Sequence, residues 1–168
     1  MTIAAERLLV AMPTMMDPNF SRTVIALIEH SADEGAIGVI VNRPTDIDVT
    51  EHLPWLQGAV CDPGTVFVGG PVQREVAIGL HRSPDGSPAI VEDLESPPPG
   101  PLRVFSGYSG WGAGQLESEL EEDAWVVVEQ EPDDAFDPEP ATLWSRVLRR
   151  QAGVVAMLAS YPIDLSSN

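Results

Sequence analysis

A chain of 168 residues with 43 % hydrophobic content can bury one sizeable core, and it is too apolar for a disordered or fibrous protein. Its 26 acidic residues face 9 basic ones, all arginine, and the formal charge of −17 repels phosphate backbones, which argues against direct nucleic-acid binding. A single cysteine, Cys61, excludes an intrachain disulfide, and no apolar run approaches the ~20 residues of a membrane span.

Glu6 and Arg7 interrupt the apolar stretch that a secretory leader needs, so the expectation is a cytoplasmic protein with no membrane partner. RLLVAMP (7–13) reads as a short buried strand stopped by Pro13, and Asp17 caps a helical turn that begins at Pro18. TVIALIEH (23–30) and AIGVIVNRP (36–44) are β-branched runs separated by a short loop ending in Gly35. They predict an antiparallel hairpin, central and covered on both faces. DIDVTEHLPWLQG (46–58) predicts a short helix disturbed by Pro54. TVFVGGP (65–71) and EVAIGLH (75–81) predict a second hairpin, and the Pro-rich stretch 83–101 leaves room for at most one short strand. LRVFSGY (102–108) is a strand. GYSGWGAG then predicts a sharp corner into a helix whose Leu116, Leu120 and Ala124 recur on one face. AWVVVE (124–129) is a strand, 129–140 an acidic Pro-rich loop, and ATLWSRVLRRQ (141–151) a helix burying Leu143, Trp144, Val147 and Leu148. The irregular mixture of strands and helices predicts a single α+β domain spanning 1–168.

Few of these stretches carry recognisable chemistry. The glycines of 107–114 match neither dinucleotide nor phosphate-loop spacing, the chain has no lysine, and the acids at 117 to 123 already suit the helix behind them. Ser109 lacks the second glycine of a nucleophile elbow because Trp111 stands there. His30, His52 and His81 have no metal-ligand spacing, so neither a metal nor another cofactor is expected. Arg146, Arg149 and Arg150 cluster in the last turns of a helix, where its dipole explains them. Cys61 reads as a small buried hydrophobe. Asn42 and Arg43, at the end of a buried strand, are positioned to face a cleft.

The ordered blocks LLVAMPTMMDPNFSRTVIALIEH, GAIGVIVNRP, VFVGGPV, RVFSGYSGWGAGQLESELEEDAWVV and LWSRVL resemble the bacterial YqgE/AlgH family over residues 8–148. The resemblance implies an α+β fold with a curved, bifurcated, mostly antiparallel sheet partly closed into a small barrel, with helices outside. It also implies a cytosolic bacterial protein, and family members carry the label of transcriptional regulator without accepted catalytic residues. Relative to the family pattern, the segment between His81 and RVFSGY is short. Two functional readings follow: a non-catalytic regulatory, protein-interaction or ligand-sensing module, or a small-molecule enzyme. Its site would bring together Asn42, Arg43, Gly69, Gly70, Pro71, His81, Trp111 and Gln115.

Overall fold

The computed structural model describes residues 7–160; the residues bearing on the leader expectation, 1–6, lie outside that range. Nine strands form one mixed sheet: β1 (Arg7–Ala11), β2 (Val24–Ser31), β3 (Gly35–Ile40), β4 (Pro44–Asp48), β5 (Thr65–Val68), β6 (Val72–Arg82), β7 (Pro88–Ile90), β8 (Leu102–Trp111) and β9 (Trp125–Glu129). The helices are α1 (Val49–His52), α2 (Gln115–Glu121), α3 (Leu143–Arg149) and α4 (Val154–Met157). The α+β class follows directly.

Alternation along the strands explains the layering. On β1, Leu8 and Val10 join a core with Phe67, Phe105 and the α3 residues Leu143, Trp144, Val147 and Leu148. Leu9 and Ala11 point the other way, into a core with Trp111, Trp125 and Leu116 of α2. Because both faces are covered, the strand sequences are continuously apolar rather than alternating. Trp144 fixes α3 to the sheet by donating its indole N–H to the Ala11 carbonyl at 2.8 Å, with the Arg22 guanidinium 4.1 Å from its ring centre. A third core, around Val49, Leu56, Leu102 and Val104, lies at the end where α1 packs.

The β2–β3 hairpin forms as expected, with Ala26 opposite Val39, and β9 lies antiparallel to β1. The turn over 18–22 also forms, and Asp17 accepts from the Asn19 N–H. Elsewhere the structure corrects the sequence reading. The expected barrel closure is absent, and among the described residues the sheet runs open from β4 to β9. The expected β5–β6 hairpin is replaced by a crossing. β8 lies between the two strands, parallel to β5 at Phe67/Phe105 and antiparallel to β6 at Ile78/Phe105. Local alternation cannot reveal a strand inserted from thirty residues downstream. Strand β4 precedes α1 where only helix was expected, because Asp48 caps the helix by accepting from the Thr50 N–H and so sets its start. Finally, β8 runs on through Trp111, so the corner is confined to 112–114.

The crossing dictates its residues. A Cβ on Gly70 would sit 2.1 to 2.4 Å from the backbone of Tyr108 and Ser109, whereas one on Gly114 would meet nothing within 4 Å. Gly114 is instead needed for its φ of 77°, immediately before α2. Thermal melts are expected to show Gly70→Ala losing most of the native state. Gly114→Val, strained only in its backbone, should cost about 1–3 kcal/mol and leave a cooperative transition. Equal damage from the two variants would contradict this assignment.

Candidate functional site

A groove of ≈ 700 Å³ opens at the tip of the β2–β3 hairpin. β2 contributes Glu29 and His30, the hairpin loop Glu34, β3 Ile37, and β8 Tyr108 and Trp111. A register shift between Leu27 and Glu29 ends the apolar run of β2 and leaves Glu29 exposed. The His30 side chain is fully buried in the wall, its Nε2 3.1 Å from a Glu117 carboxylate oxygen on α2. Glu117 is held below its ordinary pKa, first by a backbone N–H and then, against partial burial, by His30.

The far wall of the groove is rigid for a physical reason. Glu119 Oε1 accepts from both indoles, Trp111 at 3.0 Å and Trp125 at 2.8 Å, while its second oxygen accepts from Gln115 Nε2. Gln115 in turn accepts from the Gly112 N–H. Phe20 stacks near Trp111 and meets Trp125 edge-on, completing an aromatic cluster. Trp111 and Gln115 are therefore tied into the corner between β8 and α2, and of the two only Trp111 also lines the groove.

The remaining predicted residues lie elsewhere and serve the backbone. Asn42 bridges to the segment before β2, accepting from the Val24 N–H and donating to the Arg22 carbonyl, each at 2.9 Å. Arg43 donates to the carbonyls of Asn19 and Ser21. Gly69 accepts from the Ile40 N–H and from Ser109 Oγ, which gives that serine a structural partner. Gly70 and Pro71 form the crossing over β8, and His81 sits in β6 opposite Leu102 and Ala89. None of these residues is part of the groove lining.

Sequence reasoning passed over a second polar centre. Arg103 is completely buried in β8, its guanidinium 4.2 Å from the centre of the Phe67 ring. It donates to the carbonyls of Asp62, Ala135 and Asp137 at 2.5, 3.3 and 3.0 Å. Burial pulls its pKa down, opposed by Cys61, Asp137 and Asp62. Cys61 is pushed up by the same burial, which suits the reading of an inert thiol. Within the acidic 129–140 loop a 3₁₀ turn forms over Asp134–Phe136, with both Asp134 and Asp137 buried. Arg146 holds Asp137 through two hydrogen bonds of 2.9 and 2.8 Å, and Arg150 holds Asp134 and Glu131. Side-chain pairing, beyond the helix dipole, accounts for these two arginines. Among the described residues no three His, Cys, Asp or Glu side chains gather to hold a metal.

The AlgH-like family model matches residues 8–156. The chain belongs to the AlgH-like family. A UPF0301 protein of Streptomyces avermitilis is 48 % identical, with 96 % of this chain and 94 % of the relative covered. Another, from Streptomyces coelicolor, is 47 % identical at the same coverage. Among solved structures, protein DIP2367 of Corynebacterium diphtheriae superposes with a TM-score of 0.86 at 27 % identity, covering 95 % of this chain and 93 % of that one. The AlgH protein of Pseudomonas aeruginosa gives 0.71 at 31 % identity, with 95 % and 94 % covered. The matched relatives are bacterial, and no helix among the described residues of this AlgH-like chain is long and apolar enough to cross a membrane.

In this AlgH-like fold the signal for Arg103 was present but silent: an arginine inside the apolar run LRVF must be either exposed or paired. Arg103→Met removes a buried side chain that donates to three carbonyls from two segments, and is expected to cost about 3 kcal/mol or more in denaturant unfolding. A variant within about 1 kcal/mol of the parent would show those carbonyls to be satisfied otherwise.

Asp137 gives a pH prediction. Burial works to raise its pKa, but the Arg146 hydrogen bonds, the Glu139 N–H and the Arg146 and Arg103 charges outweigh it and leave it lowered. A lowered folded-state value means the stabilisation is complete above the ordinary carboxylate range and is lost as pH falls through the depressed value. Urea midpoints followed downward from neutral pH should fall in that acidic window, and Arg146→Gln should flatten the fall. An unchanged slope in the variant would remove Asp137 as its source.

Proposed function

We propose that this chain is a non-catalytic interaction module whose groove at the β2–β3 tip receives a basic, extended segment of a partner protein. The observation that carries the reading is the groove's lining. Its charged residues are the carboxylates Glu29 and Glu34, no arginine is among its lining residues, and Tyr108 presents aromatic surface beside exposed Ile37, with buried Trp111 behind. Carboxylates pair with guanidinium or ammonium groups, aromatic faces attract them further, and Ile37 offers an apolar contact between charges. The surplus of acids over the whole chain would steer such a partner inward. A regulatory role would then act through that partner in the cytoplasm, without direct reading of DNA, because Arg146 and Arg150 are engaged by Asp137 and Asp134.

One observation favours the catalytic alternative: His30 borders the groove and is bonded to Glu117, the arrangement of a histidine oriented by a carboxylate. Turnover of a small substrate abolished by His30→Gln, with the fold intact, would establish it over the binding reading.

Calorimetric titration with a synthetic peptide alternating arginine and valine tests the groove. Glu29→Gln and Glu34→Gln should each weaken binding about fivefold at low salt, as expected for loss of a partly exposed charge pair. Glu121→Gln and Glu122→Gln, on the exposed end of α2, should change it little. Equal losses at both places would reduce the attraction to bulk charge and overturn the site. Duplex DNA should not be retained at physiological salt, and retention dependent on Arg149 would reverse the partner assignment.

A further inference from the structure

Strand β6 leaves β8 between two pairings. Val72 stands opposite Tyr108 and Ala77 opposite Ser106, so Gln73, Arg74, Glu75 and Val76 share the single partner position Gly107. The excursion is exposed, and Gln73 takes a left-handed φ of 49°. It borders a second cavity of ≈ 150 Å³ that shares no lining residue with the groove. Val49, Val104 and Phe105 are buried and form its floor, with Leu53 and Val66 partly buried beside them. His52, Arg74 and Glu75 are exposed and form its rim.

An apolar-floored slot of roughly this volume has room for a body of benzene size, which would gain dispersion contacts with the floor. The rim sets the charge of the guest. Arg74 makes no side-chain hydrogen bond or ion pair among the described residues, and a guanidinium fork can hold a carboxylate through two parallel hydrogen bonds. His52 adds an N–H donor at the end of α1, while Glu75 is the one carboxylate in the lining. The excursion lies outside the β6–β8 ladder and is tied to β8 by Ser106 Oγ, which donates to the Arg74 carbonyl.

We propose that this slot binds a small carboxylate with an apolar body about the size of a phenyl ring, the body on the Val49–Val104–Phe105 floor and the head on Arg74 and His52. The site is independent of the groove, so it stands or falls separately from the partner-binding reading. Methyl chemical shifts of carbon-13-labelled protein are to be followed on adding benzoate, with benzene and benzylamine as probes of the apolar body alone and of the opposite charge. Benzoate is expected to shift the Val49, Leu53, Val66 and Val104 methyls saturably, with benzylamine about tenfold weaker. Arg74→Gln should weaken benzoate to the level of benzene, about a tenfold loss for one charge-assisted pair. Val66→Phe, which fills the slot, should abolish the shifts; if it fails to fold, Arg74→Gln, at an exposed position, still decides. No saturable shift with benzoate, shifts confined to groove residues such as Ile37 and Val72, or equal binding of benzoate and benzylamine would each overturn the proposal.

Discussion

A guanidinium with no access to water has to be satisfied inside the protein, and Arg103 makes that requirement the organising constraint of this fold. It lies on the face of β8 shared with Phe105, so the ring of Phe67 covers it and the chain must bring carbonyls to it from outside the sheet. Two segments do so, the loop at Asp62 and the turn from Ala135 to Asp137. Asp137 is then held from the other side by Arg146 on α3. A single buried charge thus links β8, two irregular segments and the helix that closes one core. Irregular backbone at 134–137 is tolerated there because its polar groups have partners.

The other constraint is geometric. β8 serves β3, β5 and β6, and the chain passes from β5 to β6 across it through Gly69, Gly70 and Pro71. Such a crossing needs backbones in contact, which only residues without a Cβ permit, so the Gly69–Gly70 pair is part of the sheet's construction. Its consequence reaches the surface. β6 begins at Val72 beside Tyr108 and then departs from β8, which places the groove on one side of the departure and the apolar slot on the other. Both cavities are therefore products of the same branching of the sheet.

Much of the fold was legible because local signals and tertiary packing agreed. The β2–β3 hairpin, the strand at 124–129 and the buried face of α3 follow from apolar spacing that the structure uses as written. The pairing of β5 with β8 was not legible, since strand partners distant in sequence leave no periodic trace. Closure into a barrel, implied by the family resemblance, is not realised in the open sheet. Asn42, Arg43, Gly69 and Gln115 look like site residues because polar or Cβ-less positions beside buried strands are rare, and here they satisfy backbone groups at those strand ends. The groove acids Glu29 and Glu34 were inconspicuous in so acidic a chain, where no single carboxylate stands out.

The distribution of the nine arginines ties the interior to the surface. Arg103 is buried on carbonyls, Arg43 is directed to backbone carbonyls, and Arg146 and Arg150 are consumed by the buried carboxylates Asp137 and Asp134. Arg82 pairs with Asp133 and Arg7 with Glu129. Positive charge is thus spent largely on internal satisfaction, while Glu29, Glu34 and the α2 acids Glu121 and Glu122 remain on the outside. A surface built this way repels phosphate and concentrates cations, and the field is focused where carboxylates line a concavity rather than a convex face. The packing demands of the core therefore shape the electrostatic character of the groove, whose charged lining is left to Glu29 and Glu34.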